Sequence, residues 1–214
     1  MMSLNVMTIG RSSLAIGCGS TIGQTSYDSA STALGHSAMQ PGIPEVDITL
    51  RDGRVVHVRA IGARDESEIL QAFDRMSAHA RYMRFMRVVR EPNLDRLRKA
   101  LASFPERGVG LVATVPATDG FDIVGSAVAI IEGDATSCEF AINVDSRFGG
   151  AGLATALMKK LIETARGRGV KVMEGFVLAE NQSMLRLASR LGFGIAPDPE
   201  DRAVRVCRLQ LGSA

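Results

Sequence analysis

From Cys138 to Val144 the chain reads as an apolar strand with one acid in it, Glu139, and it then runs through Asp145, Ser146, Arg147 and Phe148 into a glycine-rich turn. Gly149, Gly150 and Gly152 let the backbone approach a ligand closely, and Leu153 opens a helix. The first N–H groups of a helix have no partner within it and carry the positive end of its dipole. Such a strand, turn and helix start form a binding place for an anion, and a pyrophosphate is the expected ligand. The backbone from Phe148 to Leu153 would supply the donors. A nucleotide-triphosphate loop needs G-x-x-x-x-G-K followed by Ser or Thr, and a dinucleotide fold needs G-x-G-x-x-G. Neither spacing is present. On these residues alone, a glycine-rich connection with no ligand remains the alternative.

Arg147, Gly150 and Gly152 do fit another pattern: Arg or Gln, two residues, Gly, one residue, then Gly or Ala. In this the turn resembles the acetyl-coenzyme A pyrophosphate loop of the GNAT acetyltransferase superfamily. The resemblance continues downstream, where Asn181, a short helix and Leu191-Gly192-Phe193 are similar to the second coenzyme-A-binding segment of that superfamily. Three stretches narrow it to a branch: residues 76–86, Glu139 to Val144, and Val177 to Leu185. They resemble the catalytic domain of bacterial protein lysine acetyltransferases that modify acyl-coenzyme A synthetases, over about residues 50 to 211. That branch commonly carries a fused cyclic-nucleotide-binding or synthetase-like domain, for which this chain has no room. The resemblance implies acetyl-coenzyme A as co-substrate, an amine acceptor and no metal. It also implies that Ile142, Asn143, Val144, Arg147, Phe148, Gly149, Gly150, Ala151, Gly152, Leu153 and Asn181 form the coenzyme site.

Acetyl transfer to an amine needs a neutral nucleophile, and a lysine of pKa ~10.4 is almost wholly protonated at pH 7. A carboxylate beside the thioester can take the proton, directly or through water. Glu139 is the candidate base, because it sits in an apolar strand leading to the turn and because the branch places its catalytic glutamate in a Glu-Phe-Ala context. The competing reading is a solvent-facing position on an alternating strand; Glu132, Glu174 and Glu180 are weaker candidates. Many family members place a tyrosine, as general acid, at the position that is Ala188 here. A thiol of pKa ~8.5 is already a fair leaving group, so its absence is tolerable. A backbone N–H between Ile142 and Val144 could receive the developing oxyanion and pair with the pantetheine arm, or could pair instead with another strand. Asn181 has two ordinary roles, touching the coenzyme and capping its helix. Arg75, Arg81, Arg84, Arg87 and Arg90 recur every three residues or so and sweep around a helix, which reads as a solvated surface before it reads as a binding face.

These residues need a scaffold, and the patterning supplies one. Val55 to Ile61 reads as a strand; Asp65 and Glu68 form a capping box ahead of a helix with Ile69, Leu70, Phe73 and Met76 inward. Helical stretches follow around Tyr82 to Met86 and, after Pro92, around Leu94, Leu97, Leu101 and Phe104. Val109 to Val115 and Ile123 to Ile131 are strands joined by a loop at 116–120. From Leu153, the residues Leu157, Met158, Leu161, Ile162 and Ala165 make an inward stripe, with Lys159, Lys160, Glu163 and Arg166 outward. Val170 to Leu178, a helix from Asn181 and a strand from Val204 to Leu211 complete the order, with a bulge expected near Cys207 and Arg208. The expected fold is α+β, the GNAT acyltransferase fold, a mixed and mostly antiparallel sheet flanked by helices. Residues 1–44 are rich in Ser, Gly and Thr and nearly uncharged, which marks a flexible tail with room for a short docked piece. The catalytic domain is placed at 45–214.

Composition narrows the function classes. The 214 residues are 46% apolar, enough for one full core, and carry a net charge of +2, too small to imply a nucleic-acid partner. The sequence shows no run of membrane-spanning length and no secretory signal pattern. Cys18, Cys138 and Cys207 are an odd, scattered set, as are His36, His57 and His79, so neither disulfides nor metal are expected and the cytoplasm is the expected compartment. A protein lysine is the expected acceptor. A small-molecule or amino-terminal amine, or an acyl-coenzyme sensor without turnover, are the other readings, and the oligomeric state is not encoded in any pattern found.

Overall fold

The computed structural model describes residues 5–6, 43–118, 120–131, 133 and 135–212. Among the described residues nine strands form one sheet: β1 (Asn5–Val6), β2 (Val46–Thr49), β3 (Val55–Ala60), β4 (Gly108–Ala117), β5 (Gly120–Ile131), β6 (Ser137–Val144), β7 (Val172–Leu178), β8 (Gly194–Pro197) and β9 (Val204–Gln210). The order across it is β2-β3-β4-β5-β6-β7-β9-β8, with β1 attached to β6. Every pairing is antiparallel except β6 with β7. Five α-helices of the described residues flank it: α1 (Glu66–Asp74), α2 (Ala78–Phe85), α3 (Leu94–Ala102), α4 (Leu153–Gly167) and α5 (Gln182–Arg190). This is the mixed, mostly antiparallel α+β architecture expected from the sequence.

The principal core lies between the sheet and α4. The stripe Leu153, Leu157, Met158, Leu161, Ile162 and Ala165 is buried against Val109, Leu111, Ala127, Phe140 and Ile142. Each such side chain contributes roughly 1.5–3 kcal/mol on burial, so α4 is held by packing far more than by intrinsic helix propensity. A smaller cluster on the opposite face joins Met83 of α2 to Leu178 and Val204, with Phe176 and Met86 against it. The end of the sheet carrying β7 and β9 is thus covered on both faces.

That double coverage corrects one expectation. The change of phase at the carboxyl end is no bulge, because β9 pairs with β7 in unbroken register from Val204 opposite Leu178 to Gln210 opposite Val172. Val204 belongs to the α2 cluster, whereas Cys207 and Leu209 pack into the principal core on the other face. The irregularity lies instead between β4 and β5, where the register moves from Ala113 opposite Gly125 to Thr114 opposite Ile123, leaving Val124 as the extra residue. Its carbonyl accepts from Asp145 N–H at 2.9 Å. Two smaller differences are that β4 runs on to Ala117 and β5 starts at Gly120, both inside the expected loop, and that a short β2 precedes the first expected strand.

The capping box at Asp65 also fails to form. Asp65 occupies the cap position of α1 without a capping bond, because its carboxylate is engaged elsewhere. It receives two hydrogen bonds from Arg59, at 2.7 and 2.9 Å, and one from Gly62 N–H at 2.8 Å. Both side chains are buried. The pair fastens β3 to the start of α1. Burial works to raise the Asp65 carboxyl, but Arg59 and the Gly62 N–H outweigh it and hold the group below the ordinary carboxylate range.

Breaking one partner of such a pair strands a buried charge. Asp65→Asn should lose about 3–5 kcal/mol in urea unfolding at neutral pH. The folded pKa lies below the unfolded one, so the wild-type stabilisation is complete above the unfolded value of ~3.9 and disappears as pH falls through the folded one. The difference between mutant and wild type should accordingly narrow in strongly acidic solution, and a difference independent of pH would assign the stabilisation to another group.

Candidate functional site

The site begins where two parallel strands part. β6 and β7 pair only from Ser137 to Glu139 with Val172 to Glu174, although β6 continues to Val144 and β7 to Leu178. Just past the last pair, the Phe140 ring occupies the space that a side chain on Gly175 would need, and it packs against Phe193 at 5.1 Å between centroids. Beyond this point the two strands form a wedge. Asp145 N–H points to β5, so by the alternation of a strand Val144 and Ile142 turn their N–H groups away from β5, toward the wedge. Asn143 faces its backbone to β5 and contributes its side chain to the α1–α2 face.

Glu139 stands at the inner end of the wedge, 9% exposed, opposite Glu174 in the β6–β7 register. It is buried, which removes the reading of a solvent-facing strand position. Its neighbours Phe140 and Ile142 face α4, so Glu139 faces the α2 side, where Arg84 is its charged neighbour. Burial pushes the Arg84 guanidinium down to about 10 against the attraction of Glu139. Glu174 is held by Arg208 at 3.0 Å, Glu180 follows β7 and is exposed, and Glu132 lies outside the described residues.

At the open end of the wedge the chain makes a short 3-10 turn, Ser146–Phe148, before the glycines. Asp145 caps this turn by accepting from Arg147 N–H at 2.9 Å, and it grips the Arg147 guanidinium at 2.7 Å. Burial works to raise the Asp145 carboxyl, but Arg147 and the nearby Arg75 outweigh it and hold the group low. The N–H groups of Phe148, Gly149 and Ala151 are consumed within the turn. No partner among the described residues takes those of Gly150, Gly152 or Leu153, and Ala154 and Thr155 follow as the first-turn donors of α4. The donors expected from Phe148 to Leu153 are therefore about half of that set, extended by one helical turn. Gly150 and Gly152 have φ of 78° and 95°, a left-handed conformation that a side chain would strain.

Several contributors escaped the sequence reading because they come from distant segments. The β2–β3 turn braces the glycine turn from outside: Arg51 N–H donates to Ala151 at 3.0 Å, and Arg54 donates to the Arg147 carbonyl at 3.0 Å while lying over the Phe148 ring at 3.9 Å. A cavity of about 230 Å³ between Leu50, Arg51, Gly152, Ala156 and Lys159 adjoins this place. On the other face, a cavity of about 240 Å³ lies between Arg75, Met76 and Ser77 of the α1–α2 connection and Asn143 to Ser146. Arg75 fixes its wall by bonding Asp122 at 3.0 Å and the Ile123 carbonyl at 3.0 Å. Arg81 lies over Phe73 and donates to the Arg90 carbonyl, so the arginines expected to be a solvated series are divided: Arg75, Arg81 and Arg84 are engaged inward, and Arg87 and Arg90 are exposed.

Asn181 follows β7 and lies at the same end of the sheet as the glycine turn, since β6 and β7 run in one direction. Its side chain accepts from Met184 N–H at 3.2 Å, so it caps α5. Two helix starts, of α4 and α5, therefore meet the mouth of the wedge. Ala188 is fully buried in the principal core, leaving no room there for an acid in the cleft. Among the described residues no group of three or more His, Cys, Asp or Glu could hold a metal, and no helix is long and apolar enough to cross a membrane.

A strand edge that has parted from β7, a glycine turn with outward donors and a helix dipole behind it suit a ligand with amides along one arm and a pyrophosphate at its end, and acetyl-coenzyme A is such a ligand. Comparison with known proteins agrees. Residues 76–193 match the Acetyltransferase (GNAT) family. An acetyltransferase of Pseudomonas aeruginosa is 29% identical over 163 residues, covering 76% of this chain and 88% of the relative. The GNAT domain of Streptomyces lividans PAT shares the fold with a TM-score of 0.71 at 22% identity, over 78% of this chain and 96% of that one. The yncA protein of Salmonella typhimurium, solved with its cofactor acetyl-CoA, gives 0.57 at 22% identity, over 74% and 95%. The chain belongs to the GNAT acetyltransferase family, the acyltransferases that move an acetyl group from acetyl-coenzyme A to an amine.

Proposed function

We propose that this chain acetylates lysine side chains of cytoplasmic proteins, metabolic enzymes such as acyl-coenzyme A synthetases being the expected acceptors, and that Glu139 takes the proton of the attacking amine. The observation that carries the reading is the burial of Glu139 at the inner end of the wedge, where the outward N–H groups of Ile142 and Val144 begin. Acetyl-coenzyme A supplies an activated thioester when bound. Ile142 and Val144 would donate to its amide arm and to the developing oxyanion, and Gly150, Gly152, Leu153 and Ala154 to its pyrophosphate. Arg147, tied to Asp145, brings positive charge to the same place.

Freeing a lysine of its proton at pH 7 costs about 4–5 kcal/mol, and this is the work assigned to Glu139. Arg84 is suited to hold that carboxylate as an anion until the amine arrives. The lysine-acetyltransferase reading of the acceptor is supported by where the three resembling stretches fall: on α2, on β6 and across the β7–α5 connection, around one wedge. A small-molecule amine remains the competing acceptor, since acceptor choice within one fold is set by loops. The burial of Ala188 in the core favours a mechanism in which water or the substrate ammonium protonates the departing thiolate.

Glu139→Gln should keep calorimetric acetyl-coenzyme A binding nearly unchanged and lower turnover by about 10²–10⁴-fold. Equal turnover of mutant and wild type across the whole pH range would reject Glu139 as the base.

The acceptor is tested by incubating the protein with labelled acetyl-coenzyme A against both a cytoplasmic extract and an amine library, followed by mass spectrometry. Enzyme-dependent label on protein lysines is expected. Robust turnover of small amines with no such label would overturn the protein-acceptor assignment and leave the cofactor reading standing.

A further inference from the structure

The wedge between β6 and β7 is already entered by the chain itself. β1 pairs with β6 in antiparallel register, Asn5 opposite Asn143 and Val6 opposite Ile142, and it lies against β7 and α2 as well. Val6 thus stands opposite one of the two residues whose N–H turns away from β5. A strand there satisfies a backbone donor that a pantetheine arm would also require, and a single N–H serves one acceptor at a time.

The register also gives the direction of entry. Asn5 pairs nearer the glycine turn and Val6 nearer Glu139, so β1 runs inward from the mouth of the wedge toward Glu139. An acceptor mimic would instead bring an amine to Glu139. The sequence argues the same way, because the first lysine of the chain is Lys99 and residues 1–44 contain none. The segment therefore has the backbone to imitate the cofactor's amides and lacks the side chain to imitate a lysine substrate.

We propose that the amino-terminal segment around Asn5 and Val6 is an internal competitor for the acetyl-coenzyme A slot, an autoinhibitory strand that must leave β6 before the cofactor arm can pair there. The proposal rests on the reading of Ile142 and Val144 as the cofactor's partners. Being part of the same chain, the competitor acts at a fixed effective concentration, and it lowers apparent cofactor affinity by the fraction of molecules in which it is docked.

Two measurements on the full-length chain test this. In the first, Asn5→Pro and Val6→Pro are combined, which removes both strand N–H groups, and acetyl-coenzyme A is titrated by calorimetry. The variant should bind the cofactor about 3–30-fold more tightly, as expected when one or two strand hydrogen bonds no longer compete. Affinity equal to or weaker than wild type overturns the inference. The second uses the unmodified chain and so does not depend on how the variant folds: hydrogen exchange is followed with and without acetyl-coenzyme A. The cofactor should speed exchange in peptides containing Asn5 and Val6 while slowing it at Ile142 to Val144. Protection of both segments together, or no change at Asn5 and Val6 while β6 becomes protected, sinks the proposal. Absence of any acetyl-coenzyme A binding to either chain overturns the cofactor reading along with it.

Discussion

The separation of β6 from β7 is the constraint on which the rest of the molecule depends. A parallel pair that stops after Glu139 and Glu174 leaves the outer half of β6 without β7 beside it, and the two-residue β1 meets that half only at Ile142 and Asn143. Backbone donors are costly when buried and unpaired, so a fold keeps them only where something else can meet them. The separation is enforced from the core: Phe140 projects toward α4 over a glycine, and any side chain at Gly175 would overlap its ring. Packing therefore maintains an opening that backbone hydrogen bonding alone would close. The opening has a fixed chemistry, a row of N–H donors with a carboxylate at the inner end and two helix starts at the mouth.

Holding the mouth in shape is a separate task, and it falls on charged residues. Phe148 and Ala151 anchor the turn in the core, but its glycines contribute no side chains. Arg51 and Arg54, from a hairpin nearly a hundred residues earlier, bond its carbonyls, and Asp145 locks Arg147 beside it. Arg75 joins Asp122 and the Ile123 carbonyl, close to the bulged Val124 that accepts from Asp145. The bulge, the ion pairs and the turn form one connected support. Because the charges are compensated within that network, the turn keeps its donors outward without collapsing onto them.

Much of this was legible in local pattern, and what was not has a common cause. The stripe of α4, the glycine turn and the capping role of Asn181 depend on neighbours within a few residues, and spacing alone exposes them. Asp65 shows the limit: Asp65 and Glu68 satisfy the local rule for a capping box, yet a buried Arg59 six residues earlier competes for the same carboxylate and wins. Cys207 and Leu209 shift phase for the same kind of reason, since a strand covered on both faces has no single apolar side to read. Arg51, Arg54 and Arg84 could not have been selected from the sequence at all. Each is one arginine among many until the topology brings Arg51 and Arg54 to the glycine turn and Arg84 to Glu139.

Arg84 bears most on the proposed chemistry, because it is the charged neighbour of Glu139. Its Nη1 is buried without a partner among the described residues, and burial draws its pKa down to about 10, still well above neutrality. At pH 7 it is therefore a cation with incomplete compensation, next to the acid assigned as base. A lysine ammonium arriving there would meet attraction from the carboxylate and repulsion from the guanidinium. If Glu139 takes the proton, as proposed, that repulsion is lost together with both attractions to the carboxylate, so the arginine favours the carboxylate anion and sets a cost on the transfer. On this reading the buried arginine is more than a counter-ion for the folded state. Its charge offsets the pull of Glu139 on any arriving cation, so an ammonium is held there less strongly than beside a lone carboxylate.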